Sequence, residues 1–234
     1  MKIISWNCKK NYSTKSRLIL SQQQPDIVVI PECERLMIED FKDHKIRPNN
    51  LIWFADEDAD RGIAVFNYSN FSLKLLDVHN PRIKYVLPIS VTNDQYNFTL
   101  LAIWTHIPYT KQLWNALEYY SSLIENDIII VGDFNSNSIW DTINKKNSHS
   151  GFVKQLEDKN ILSAYHHFYN EQQSKETHST FYLQHNKHRK FHIDFLFASP
   201  TFIDKLTNVE VGVFEDWYSH SDHVPLTFTF EDLR

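Results

Sequence analysis

Glycine is scarce: four occur in 234 residues, at Gly62, Gly132, Gly151 and Gly212. Neither GxxxxGKS/T nor GxGxxG is present, which excludes P-loop and dinucleotide-binding chemistry. Cysteine is scarcer still. Cys8 and Cys33 form neither a disulfide framework nor a paired zinc spacing, and they read as buried, reduced thiols. No apolar run approaches membrane-spanning length. The N-terminal MKIISWNCKK carries charge without an apolar h-region or cleavage site. The expectation is a cytoplasmic protein without a membrane segment. A formal net charge of −5 argues against a generic nucleic-acid coat protein.

Acids are also missing locally. From Met1 to Pro25 there is none, while Lys2, Lys9, Lys10, Lys15 and Arg17 are basic. A second basic stretch, HNKHRKFH, runs from His185 to His192, and acids bunch in DEDAD at Asp56–Asp60. Each such run alone reads as a solvated loop.

What is present is a series of short apolar strands with a few helical stretches between them. KIISWN reads as a buried strand, STKSRLILSQQQ as a helix ended by Pro25, and DIVVIPE as a second buried strand. This β-α-β opening predicts parallel neighbours. LIWFA, GIAVF, FSLKLLDV, KYVLPISVT and YNFTLLAIWTHI leave little room for helices and predict an antiparallel meander. A helix over Lys111–Ile124, the strand DIIIVGD and a helix over Gly151–Lys159 follow. HSTFYL, KFHIDFLFA, TNVEVGVF and VPLTFTF are read as further strands. No linker or repeat interrupts residues 1–234, which read as one domain. Strand-helix-strand units at both ends imply two packed sheets with helices outside.

Several strands end in polar groups suited to phosphate chemistry. The first ends in Trp6-Asn7, the second in Pro31-Glu32, a later one in Thr105-His106 and another in Gly132-Asp133-Phe134-Asn135. The crevice beyond strand carboxyl ends is where ligands bind in open α/β sheets. Glu32 offers hard oxygens to a cation such as Mg²⁺. Asp133 and Asn135 point the same way on extended backbone, so one can orient water while the other donates to a phosphate. An Asx-type turn closing a strand is the alternative reading. Asp194 lies inside the apolar run HIDFLFAS and needs a partner there. In YSHSDHVPL, His223 could supply it and leave Asp222 to face a metal, provided the chain turns irregularly before Pro225.

WN, PE, GDFN, HIDF and SDH, in that order, resemble the endonuclease/exonuclease/phosphatase superfamily from Asn7 to His223. GIAVF resembles its central hairpin. The resemblance implies a four-layer α-β-β-α sandwich of two packed mixed β-sheets and Mg²⁺- or Mn²⁺-dependent phosphoester cleavage. It places Glu32 as the principal metal ligand, with Asn7 and Asp222 near the ion. Asp133 would position or activate water, Asn135 would hold the phosphate, and His223 with Asp194 would form the essential pair. His106 resembles the histidine of deoxyribonuclease-I-like members, contacting phosphate or protonating the leaving oxygen. Whether Asp133 or His223 is the base, and whether one metal or two act, stays open.

The loop CKKNYSTKSR follows the first strand, which predicts Lys9, Lys10 and Tyr12 on the rim beside Asn7. Arg61, Lys187 and Arg189 are further substrate-binding candidates. His166, His167 and the histidines from His178 to His192 lack ligand spacing and read as surface residues. The first functional reading is a nuclease with nucleic acid as its substrate. The alternatives are a phosphatase or phosphodiesterase acting on a small molecule or lipid headgroup, and a non-catalytic binding module on the same fold.

Overall fold

The apolar runs become strands buried on both faces, and this burial dictates the layering. The computed structural model describes residues 1–142 and 147–231. The chain opens with β1 (Lys2–Ser5), α1 (Tyr12–Gln23) and β2 (Ile27–Cys33), then β3 (Asn50–Phe54) and β4 (Gly62–Asn67). Next come β5 (Ser72–Leu75), β6 (Val86–Thr92), β7 (Asn97–Trp104), α2 (Tyr109–Tyr119) and β8 (Ile128–Asp133). α3 (His149–Glu157), β9 (Leu162–Ser163), α4 (Ala164–Tyr169), β10 (Phe181–Tyr182) and β11 (Lys190–Phe191) follow. The chain closes with β12 (Asp194–Ala198), α5 (Pro200–Ile203), β13 (Leu206–Val211), α6 (Phe214–Trp217) and β14 (Leu226–Phe230).

Two six-stranded mixed sheets result, in the orders β13-β14-β1-β2-β4-β3 and β5-β6-β7-β8-β12-β9. β1 and β2 pair in parallel as the β-α-β opening predicts, and so do β7 and β8 across α2. Ile3, Ile27, Val29, Leu100, Val131, Leu196 and Phe228 fill the space between the sheets. Ile4, Val28 and Ile30 alternate to the outer face of the first sheet, where they pack with Tyr12 and Ile19 of α1. Ile103, Ile128, Ile130 and Phe197 face outward from the second sheet against Leu113 of α2 and Phe152 and Leu156 of α3. Each central strand is therefore apolar on successive residues, as a doubly covered strand must be. The result is the expected α/β sandwich of two sheets with helices outside.

The expected meander divides. β3 and β4 close the first sheet, while β5, β6 and β7 open the second. The chain crosses between sheets over residues 68–71, and pairing rules along the sequence carry no sign of which sheet a strand joins. KFHIDFLFA is likewise two strands, broken at His192 and Ile193. HSTFYL contributes only Phe181–Tyr182, in a two-stranded hairpin with β11.

Candidate active site

The carboxyl ends of β1, β2, β7 and β8 converge with the loop ahead of β14. Gly132 lets β8 approach β7: it has φ of 145°, and a Cβ there would lie 1.9 Å from the Ile103 carbonyl oxygen. Asp133 ends β8 opposite Asp194 in the antiparallel register with β12. Two like charges facing across a ladder destabilise it unless a cation intervenes. His223 is that cation. Its Nδ1 lies 2.9 Å from Asp194 Oδ2 and its Nε2 3.9 Å from Asp133 Oδ2. All three side chains are buried.

Hydrogen bonds hold the carboxylates in place. Asp133 Oδ2 accepts from the Nδ2 groups of Asn7 and Asn135, each at 3.0 Å, and its Oδ1 accepts from the Asn135 amide at 2.9 Å. Asn7 Nδ2 also donates to Glu32 Oε1 at 3.0 Å, so one amide ties the ends of β1, β2 and β8 together. Glu32 leaves the β2–β4 ladder at a register shift and adopts φ of 53°, which turns its carboxylate toward the cleft. Asn135 is also left-handed, with φ of 46°. The first and last motifs are stitched together. Ser221 Oγ donates to the Asn7 carbonyl and accepts from the His223 amide, while Trp6 Nε1 donates to the His223 carbonyl at 3.0 Å.

Burial raises the Asp133 carboxyl to about 7, reinforced by the Asp194 charge and opposed by His223 and the hydrogen bonds it accepts. Burial opposes charge on His223, yet the carboxylates of Asp194 and Asp133 outweigh it and hold the imidazole up at about 9. His106 differs: burial lowers it, so the ring is neutral near pH 7. It stacks on Tyr85 with centroids 4.5 Å apart and meets Trp104 at 4.1 Å, and its Nε2 is buried without a hydrogen-bond partner.

Among the described residues, one compact donor set could hold a metal ion. Asp133, Asp194 and His223 each bring one ligand atom within 4.8 Å of the others. That set is buried, and the Asp194–His223 hydrogen bond already uses Nδ1. Glu32 and Asp222 instead present carboxylate oxygens at the cleft, with side chains 21% and 19% exposed. Each is met there by a cation of the chain, Arg61 on Glu32 and Lys9 on Asp222. Oxygen donors with access to water suit Mg²⁺ or Mn²⁺ better than a dry site containing an imidazole.

The substrate-binding expectations fare unevenly. Tyr12 is a correction: it is fully buried against Phe41 and Phe66, with its hydroxyl on Tyr68, and cannot touch a substrate. Its place at the first position of α1 points it beneath the sheet instead of at the rim. Lys9, Lys10 and Arg61 are paired with Asp222, Asp60 and Glu32. The β10–β11 hairpin brings Phe181 against His223, with ring centroids 4.6 Å apart. It carries Lys187 and Arg189 farther off, to Glu215 and Gln184.

The histidines read as surface residues divide as well. His167 is exposed, but His192 is buried and His166 nearly so; with His149 they form a cluster whose rings pack on Phe195. Glu176 accepts there from Asn137 and lies 3.2 Å from His166 Nε2. Thr180 was also missed: its buried Oγ1 accepts from the amides of Ile193 and Asp194 and so sets the position of β12. No sequence spacing marked it.

A cavity of about 570 Å³ adjoins Asn135, walled by Trp140, Phe181, Leu183, Ile193 and Pro108. These residues come from four separate segments, so no local pattern foretold it. Among the described residues, no helix is long and apolar enough to cross a membrane.

No protein-family model matches the chain, and no curated protein matches it in sequence. Solved structures do match. An AP endonuclease from Archaeoglobus fulgidus superposes with a TM-score of 0.72 at 16% identity, covering 99% of each chain. A 3′-5′ exonuclease from Neisseria meningitidis gives 0.66 at 18%, covering 98% of this chain and 99% of the other. A protein of the endonuclease/exonuclease/phosphatase family from Leptotrichia buccalis gives 0.65 at 16%, covering 99% of each chain. At such identities the likeness is one of fold, and the chain has the fold of these proteins.

Proposed function

We propose that the chain is a divalent-metal-dependent phosphoesterase that hydrolyses phosphodiester bonds of nucleic acid. The observation that carries this reading is Asp133, held by Asn7 and Asn135, facing a histidine that Asp194 keeps charged. Phosphoryl transfer needs positioning and charge neutralisation more than covalent participation by the protein.

Glu32 and Asp222 would hold Mg²⁺ or Mn²⁺, which supplies Lewis acidity toward phosphoryl oxygens when bound. The remaining roles belong to the chain. Asp133, ionised, accepts the proton of the attacking water; Asn7 and Asn135 aim its carboxylate. His223 stays protonated beside it and donates from Nε2 to a phosphoryl oxygen, while Asp194 fixes the proton on Nδ1. Neutral His106 is a hydrogen-bond donor toward the phosphate or the leaving oxygen. Lys9, Lys10 and Arg61 turn from their carboxylate partners to the backbone of the substrate.

Nucleic acid is favoured by the aromatic cavity beside Asn135, which suits a base or sugar, and by the endonuclease and exonuclease named among proteins of this fold. A small phosphoester is the second reading, because the rim cations are already paired with acids of the site.

Purified protein with Mg²⁺ or Mn²⁺ is tested on labelled oligonucleotides, a phosphomonoester and a lipid phosphodiester. Asp133→Ala and His223→Ala should each lower oligonucleotide cleavage by about 10²–10⁴-fold, and EDTA should abolish it. Cleavage that survives both substitutions would refute the assignment. Hydrolysis of the small esters alone would replace nucleic acid with the second reading.

A further inference from the structure

A second cavity, of about 310 Å³, opens beside the aromatic one and shares Pro108 with it. Its walls are cationic, formed by Arg82, Lys84 and Lys111 around His106. Lys84 is paired with Asp56 at 2.6 Å; Arg82 and Lys111 are exposed and have no ion pair among the described residues. Three positive side chains thus line one hollow of a chain whose net charge is −5. Like charges gathered this way repel, and an anion between them relieves the repulsion.

The hollow is held rigidly to the active site. Gln112 of α2 accepts from the His106 amide at 2.6 Å and donates to the Lys84 carbonyl. It clamps the segment ahead of β6 to the end of β7. On the other side, Asn135 Nδ2 donates to the carbonyl of Thr105 at 3.2 Å. His106 is within electrostatic reach of both Glu32 and Lys84. The cations therefore stand at a set distance from the phosphoester-cleaving groups. Ile107, 80% exposed, stands on the cationic side of the shared Pro108.

We propose that this cavity binds a second backbone phosphate of the nucleic-acid strand, one that is not cleaved. The inference rests on the nuclease reading and extends it. A substrate with a single phosphate would leave the cavity unused, whereas a strand crossing Ile107 and Pro108 places one phosphate at Asp133 and another among the cations. Arg82 supplies a planar fork for phosphate oxygens, and Lys84 and Lys111 supply point charges. The site reads backbone, so it adds affinity and register without base preference.

The test measures binding and cleavage separately. Fluorescence anisotropy of labelled single- and double-stranded oligonucleotides, in EDTA at several salt concentrations, compares the wild-type protein with the Arg82→Ala/Lys111→Ala double variant. Both substituted side chains are exposed, and a thermal melt confirms that the variant is folded. The variant should bind about ten-fold or more weakly, and its slope of log K against log salt should flatten by about 0.7–0.9 for each phosphate it no longer neutralises. One methylphosphonate, scanned along the strand, should reproduce the weakening in the wild type and add nothing in the variant.

Equal affinity and equal slope would overturn the proposal, as would a wild-type protein that binds no oligonucleotide. Hydrolysis of bis(p-nitrophenyl) phosphate by the wild type tests the phosphoesterase reading on its own. If that hydrolysis is absent while the binding difference persists, the catalytic reading fails and the phosphate site stands.

Discussion

Two buried groupings of imidazole and carboxylate flank β12, and they have opposite charge logic. On one side a single imidazole, His223, faces Asp194 and Asp133. On the other, His149, His166 and His192 gather around Glu176, with Asp141 also acting on His149 and Asp194 on His192. Burial acts against a charged imidazole in both. Two carboxylates outweigh it at His223, which rises to about 9. Carboxylates that do not hydrogen-bond the ring do not, and burial pushes His149 and His192 down to about 4. A buried histidine is thus held charged by a carboxylate hydrogen-bonded to its ring, as Asp194 is to His223, whereas His149 and His192 meet a hydroxyl and a carbonyl instead. The first grouping is poised to stabilise an anion. The second holds Ser136 and Asn137 in place behind Asn135.

Removing a carboxylate from the first grouping is the strongest way to break this contrast. Asp194→Asn should lower kcat by about 10²–10⁴-fold. It should also move the alkaline limb of the pH–rate profile downward from about 9, because the imidazole loses its nearest negative charge. The acid limb, which Asp133 should set, is expected near 7 in the wild type. An alkaline limb that stays in place would show that His223 does not owe its charge to Asp194.

The second grouping predicts an acid-sensitive stability. His149 and His192 have folded values below the ordinary 6.5, so below that pH the unfolded chain binds more protons than the folded one. The contribution of these two histidines to stability should therefore be complete above about 6.5 and decline as the pH falls toward 4. Denaturant midpoints measured across this window should show His192→Gln to be less pH-dependent than the wild type, by up to about one proton of slope. An unchanged slope would mean that His192 is not buried neutral.

The smallest effect is expected far from either grouping. Tyr12→Phe removes the 3.1 Å hydrogen bond between the hydroxyls of Tyr12 and Tyr68 and should cost about 1 kcal/mol. Oligonucleotide affinity should stay the same. A variant that binds more weakly would return Tyr12 to the rim.

Tyr12 shows why some of the site was illegible. A basic loop with a tyrosine after a strand looks like a nucleic-acid rim, and the side-chain direction is set by where α1 begins, at an Asn11 in left-handed conformation. The same limit applied to His166 and His192, whose burial depends on Glu176 and Phe195 from other segments. Arg82, Lys84 and Lys111 gave no signal because they flank two strands and a helix with no common motif.

The strands, their parallel ends and the polar residues that close them were written locally. Apolar runs of five or six residues must be buried on both faces, and an aspartate in such a run must find a partner. Hence Asp194, Asp133, Glu32 and His223 could be singled out along the chain. Which charges cancel was settled by distance across strands and between sheets. Only folding put Lys9 on Asp222 and Arg61 on Glu32, sent β5 to the second sheet, and set three cations around His106. Electrostatic energy depends on separation in space, and neighbours in space here come from residues far apart in sequence.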